Sequence, residues 1–151
     1  GEVKQVLGVA SFPLKRQHAQ RYVKSGVALV GDAAHMINPL AGQGVNIGLL
    51  DAAALAEVLI QAQQQGKDIA DLAVLQRYES IRRQENLKMM TVMDLFYQFF
   101  SNDILPVKIL RNFGLGLAQR INPARIKVMK AAMGLEGNLP KLAKGEVLLN
   151  K

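Results

Sequence analysis

The chain contains no cysteine and no tryptophan, two histidines, and aromatic residues at only 5% of its 151 positions. Without cysteine there is neither a disulfide framework nor a thiolate metal site. His18 and His35 stand apart, with no His/carboxylate spacing that would hold a metal and no Ser/His/Asp set, so no metal site is expected and hydrolase chemistry has no support. The N-terminus, Gly1-Glu-Val-Lys-Gln5, shows no basic stretch followed by an apolar one, so no signal peptide is visible. It begins with Gly1 rather than Met, as expected of a piece cut from something longer. No run reaches the ~20 apolar residues expected to span a bilayer, because Asp94 interrupts the best candidate.

What is present describes a globular domain: 50% of the residues are hydrophobic and 21% are charged. The net charge of +7 is unevenly placed. Acidic and basic residues balance as far as residue 104, whereas residues 105–151 carry nine Lys/Arg against Glu136 and Glu146. A basic, Leu/Ile-rich C-terminal region suits an anionic surface, either lipid headgroups or an acidic partner, or simply a solvated face. Nucleic acid is not expected, since Phe113 is the region's one aromatic and no binding motif accompanies it. A chain free of cysteine suits the cytoplasm, peripheral to the inner membrane if the basic helices meet lipid.

The expected fold class is α+β, mainly α: short N-terminal strands followed by about four helices. Residues 3–12 and 13–24 read as extended segments, and residues 27–30 (Val-Ala-Leu-Val) as a short buried strand. A helix is expected from Gly44 to Gln64 with Leu49/Leu50, Leu55, Val58/Leu59 and Ala62 on its apolar face and Gly66 at its end. A longer one runs from about Asp71 to Phe100, capped by Asp68 or Asp71, with a stripe through Leu72, Leu75, Tyr78, Ile81, Met89, Val92/Met93, Phe96 and Phe99/Phe100. Residues 105–120 and 123–134 read as two further helices, and the tail after Gly137 as frayed. Residues 1–66 and 67–151 form the natural division, strands and first helix against the C-terminal helical region.

One stretch offers chemistry. Asp32 follows four apolar residues and a glycine, a position from which a carboxylate can accept hydrogen bonds from paired hydroxyls. It also suits a helix cap before Ala33. Gly42-Gln-Gly44-Val-Asn-Ile-Gly48 places glycines at a helix start, where unpartnered N–H groups and the helix dipole favour electron-rich ligands; a tight turn with close packing would use the same glycines. The spacing is not that of a dinucleotide G-x-G-x-x-G loop, which disfavours a pyrophosphate clamp. His35 is a weak candidate for a general base and otherwise a hydrogen-bonded structural residue.

Gly31-Asp-Ala-Ala-His35, Pro39, Gly42-Gln-Gly-Val-Asn46 and Asp51-Ala-Ala-Ala-Leu55 together resemble the second FAD-binding motif of flavin-dependent aromatic hydroxylases, in particular their ubiquinone-biosynthesis branch. The resemblance extends through Arg77-Tyr78, Met93-Asp-Leu-Phe-Tyr97 and Arg111-Asn-Phe-Gly-Leu115 to Met133-Gly-Leu135. It implies the C-terminal part of a Rossmann-like FAD-binding hydroxylase fold. It implies FAD held at Gly31, Asp32, Pro39, Gly42, Gln43, Gly44, Val45 and Asn46, with Asp32 on the ribityl hydroxyls and the Val45 and Asn46 amides facing the flavin's pyrimidine edge. The Pro39 carbonyl would contact the phenolic ring, which makes Pro39 a second weak catalytic candidate beside His35. The family's reaction uses NAD(P)H to reduce the flavin and O₂ to form a hydroperoxide on it, which hydroxylates a polyprenylated phenol or quinol. Contact with a membrane surface or a biosynthetic complex through the basic helices is implied as well. A hydroxylase of a small soluble phenol and a non-catalytic docking module are the alternatives. The family's N-terminal G-x-G-x-x-G unit does not occur in this sequence, so the stretch alone is expected to hold half a flavin site, to bind FAD poorly and to be inactive. Helix faces left uncovered by the absent sheet are expected to make it a homo-oligomer.

Overall fold

The structure, a computed structural model, describes residues 4–5, 7–11, 13, 15–37, 43–101, 114, 123, 126 and 137–148. The helices expected at 105–120 and 123–134, and the motif residues Pro39 and Gly42, lie outside the described residues. Four two-residue strands come first: β1 (Gln17–His18), β2 (Val23–Lys24), β3 (Val27–Ala28) and β4 (His35–Met36), with a 3₁₀ turn at Gly31–Ala33 between the last two. Helices α1 (Gln43–Gln64) and α2 (Leu72–Phe100) follow, and a second 3₁₀ turn spans Lys141–Lys144. Among the described residues the architecture is therefore mainly helical with short strands, and it holds two α-helices.

β1 runs antiparallel to β4, His18 opposite His35, and β2 and β3 form a hairpin about Ser25 and Gly26, with Val23 opposite Ala28. The apolar run at 27–30 does not become the buried strand its composition suggests. Val27 is 54% exposed and Val30 36%. β2 is its one partner among the described strands, and only Ala28 and Leu29 of the run pack against the core, both partly buried.

Both helix boundaries follow from local chemistry. Gly66 takes a left-handed conformation (φ 66°), the Lys67 amide donates to the Ala62 carbonyl at 2.9 Å and the Gly66 amide to that of Gln63 at 3.0 Å. That pair of bonds is a Schellman stop. Asp71 caps α2, its Oδ1 accepting the Ala73 amide at 3.0 Å, while Asp68 holds the connecting loop by accepting from Ala70 at 2.9 Å. The core lies between α1, α2 and the strands: Tyr22, Val23 and Ala34 pack with Ala54, Val58 and Ala62 of α1 and with Val74, Leu75 and Tyr78 of α2. The buried face of α1 is Ile47, Asp51, Ala54, Val58 and Ala62, while Leu49, expected inside, is 64% exposed. At about 100° per residue Leu49 falls on the side of α1 opposite Ile47 and Asp51, so the face that meets α2 cannot include it.

Two further expectations are corrected. The tail after Gly137 does not fray: Pro140 is buried, and the Lys141 amide donates to Glu57 Oε2 at 3.0 Å, so residues 138–144 lie along α1. Gly44–Gln64, 21 residues, is also long and apolar enough to cross a bilayer. Its Asp51–Ala62 face is packed against protein, while Val45 and Leu49 elsewhere on it are exposed.

Candidate functional site

The hairpin delivers the chain into the Gly31–Ala33 turn, where the backbone has little room. Gly31 has φ +56°, and a Cβ on Gly48 would stand 3.2 Å from the Gly31 Cα. The glycine pair lets turn and α1 touch backbone to backbone: a Cβ on Gly48 would push the turn back by a few tenths of an ångström, and at Gly31 it is the positive φ that favours glycine. Asp32 comes next. It is exposed, and its carboxylate makes no hydrogen bond to a described residue. It borders an open depression of about 460 Å³ whose wall is β1 with residues 32–35. Across the Gly31–Gly48 contact, the opening turn of α1 is also accessible: Val45 is 74% exposed, and a Cβ on Gly44 would meet nothing within 4 Å. A helix start of this kind carries partial positive charge and outward N–H groups.

Behind the turn sits a buried polar cluster centred on Asp51, which is fully enclosed. Its Oδ2 accepts from His35 Nε2 at 2.6 Å and from the Gly31 amide at 3.1 Å. Its Oδ1 accepts from Arg82 Nε at 2.8 Å and Asn86 Nδ2 at 2.9 Å. Arg82 also donates to Asn86 Oδ1 at 2.8 Å, closing the ring. Burial alone would raise the Asp51 pKa, but the hydrogen bonds from His35, Asn86 and Arg82 outweigh it and hold the carboxyl below the ordinary carboxylate value. An ionised Asp51 accepts only, so Nε2 of His35 carries the proton between them. His35 Nδ1 is buried without a partner among the described residues. Burial raises the pKa of Tyr22 and that of Tyr78, whose hydroxyl donates to the Leu29 carbonyl at 2.7 Å.

The cluster reaches outward through Tyr22, whose hydroxyl lies 3.1 Å from His18 Nε2. Partial burial, and then the charges of Arg83, His35 and Arg16, lower the His18 pKa below 6.5. A histidine whose folded pKa is lowered adds stability above its unfolded value, and loses it as pH falls through the folded one. Stability is therefore expected to decline as pH drops below 6.5, and His18→Gln to flatten that decline. Denaturant unfolding at about pH 7.5 and about pH 5.5 measures both slopes; a variant as pH-sensitive as the parent contradicts the assignment.

Of the residues singled out in the sequence, the fold brings Gly31 and Asp32 beside α1, whose first residues are Gln43, Gly44, Val45 and Asn46. His35 turns inward to Asp51, its side chain 1% exposed, rather than toward the depression's opening. Asp51, Arg82 and Asn86 are the functional side chains that periodicity passed over. Their signal was a polar residue where an apolar one was due: Asp51 on the Ile47–Ala54 face, Arg82 and Asn86 in the gap between Ile81 and Met89.

Comparison with known proteins decides what this turn belongs to. The model of the FAD binding domain matches residues 2–92, more than half of the chain and all of the Gly31–Asp51 assembly. The chain belongs to this FAD-binding family. It is 48% identical over 129 residues to the 3-demethoxyubiquinol 3-hydroxylase of Escherichia coli (strain K12), covering 85% of this chain and 33% of that one. It is 45% identical over 148 residues to the ubiquinone hydroxylase UbiL of Rhodospirillum rubrum, covering 96% and 34%. To the mitochondrial ubiquinone biosynthesis monooxygenase COQ6 of Dictyostelium discoideum it is 41% identical over 125 residues, covering 83% and 25%. The chain thus spans about a third or less of these relatives' length. The residues present fit the FAD implied by the family. Asp32 is a carboxylate with open acceptor capacity, the depression beside it has room for a polyol, and among the described residues a Cβ on Gly44 at the α1 start would meet nothing within 4 Å.

Proposed function

We propose that this chain is the flavin-ring half of an FAD- and NAD(P)H-dependent monooxygenase that hydroxylates the ring of a polyprenylated quinone precursor, on a Rossmann-like framework completed by the rest of the protein. The observation that carries the reading is the exposed, unpartnered Asp32 carboxylate, set against a glycine-opened helix start in a chain of the FAD-binding family. Bound FAD supplies the redox chemistry and oxygen activation. With FAD bound, Asp32 would accept hydrogen bonds from the ribityl hydroxyls, and the α1 start at Val45 and Asn46 would turn its dipole toward the pyrimidine edge, favouring the negative charge of a reduced ring. By the family resemblance Pro39, which lies outside the described residues, would border the substrate ring.

The choice of a polyprenylated quinone precursor is supported by the relatives, which are named as a 3-demethoxyubiquinol 3-hydroxylase and a ubiquinone hydroxylase. Exposed Leu49, Val92, Leu95 and Tyr97 supply apolar surface for the remainder of the protein, a second copy, or a membrane face on which a long isoprenoid substrate resides.

Asp32→Ala in the full-length hydroxylase tests the reading. Charge-assisted hydrogen bonds contribute ~1.5–3 kcal/mol each, so FAD binding is expected to weaken by about 10- to 100-fold. The apo-protein's melting temperature should be unchanged, since the Asp32 side chain bonds to nothing among the described residues. Fluorescence titration with FAD gives the answer, and wild-type affinity in the variant refutes the assignment.

A further inference from the structure

We infer that Asp51 is a positioning residue for the flavin site: fixed by Arg82 and Asn86, it holds the turn that carries Asp32 and so determines where the ribityl-binding carboxylate stands. This rests on the reading of Asp32 above. Among the described residues the Asp32 side chain makes no bond of its own, so its location is inherited from its backbone. That backbone is held from both flanks by one oxygen. Asp51 Oδ2 accepts from the Gly31 amide at 3.1 Å, immediately before Asp32, and from His35 Nε2 at 2.6 Å, three residues after it.

The opposite oxygen, Oδ1, is anchored to α2 by Arg82 Nε at 2.8 Å and Asn86 Nδ2 at 2.9 Å. With donors on both oxygens the carboxylate cannot rotate, and α2, which does not itself carry the candidate flavin residues, becomes the reference frame for the turn. A carboxylate needed only to neutralise Arg82 would have no reason to bracket Asp32. The Gly31–Gly48 contact restricts how far the turn can approach α1, but it is apolar and gives no direction to the residue that follows.

The test is a double-mutant cycle in the full-length hydroxylase, with FAD affinity read by flavin fluorescence and folding checked by near-UV circular dichroism. Asp51→Asn is expected to weaken FAD binding by about tenfold in the wild-type background. In the Asp32→Ala background it should add less than about twofold, because the group it positions is gone. A merely structural role would lower affinity by the same factor in both backgrounds, and that result overturns the inference, as does wild-type affinity in folded Asp51→Asn. Should Asp51→Asn not fold, Arg82→Lys, which keeps the charge but lacks the guanidinium fork, enters the same cycle under the same criterion. If Asp32→Ala alone leaves FAD affinity intact, the functional reading fails and this inference with it. If Asp32→Ala weakens binding but the two substitutions are additive, only the positioning role fails.

Discussion

Replacing Arg82 with leucine is expected to destabilise the protein by ~3–5 kcal/mol, the cost of leaving a buried charge without its partner. Arg82 and Asp51 are 3% and 0% exposed, so neither can turn to solvent once the other is removed. For a chain of this length the loss corresponds to a melting temperature lower by roughly 10 °C. The double variant Arg82→Leu/Asp51→Leu should recover part of that loss, since the unpaired carboxylate goes as well. Recovery is expected to be incomplete, because His35 and the Gly31 amide still lose their acceptor. Thermal melts of the single and double variants check this; an Arg82→Leu protein as stable as the parent would mean that the cluster is solvated.

Tyr78 carries the second large effect, and its two parts can be separated. The ring is fully buried in the core, and the hydroxyl donates to the Leu29 carbonyl at 2.7 Å. Tyr78→Phe keeps the ring and leaves that carbonyl unsatisfied, at an expected cost of ~1–3 kcal/mol. Tyr78→Ala opens a cavity between α1, α2 and the hairpin and should cost ~3–5 kcal/mol, as large aromatic truncations do. Denaturant unfolding of both variants measures the difference. Equal losses would show that the hydroxyl, not the packed ring, ties the hairpin to α2.

Much of this fold was legible because the deciding chemistry is local. The Gly66 stop and the Asp71 cap use groups within five residues of each other, so the sequence pattern placed both helices to within a residue or two. Asp32 and the helix start were legible for the same reason, being contiguous in one motif. The Asp51–Arg82–Asn86 ring was not, since a hydrophobic stripe registers a buried charge as an interruption; its partners lie 31 and 35 residues away. The docking of Lys141 on Glu57 spans 84 residues, beyond any local rule. Residues 27–30 show the opposite limit: apolarity says that a segment seeks cover but does not name the element that provides it.

The Asp51 ring also constrains the order in which the chain can assemble. Its members come from three separate stretches: the donors Gly31 and His35 from the turn, the acceptor Asp51 from α1, and the donors Arg82 and Asn86 from α2. Without α2 the Asp51 carboxylate would keep the His35 and Gly31 donors on Oδ2 but lose both donors on Oδ1, a costly arrangement once α1 and the turn have enclosed it. The turn gains its full set of bonds only when the second helix docks. Hairpin, α1 and the first half of α2 must close around the charge together, as one cooperative unit.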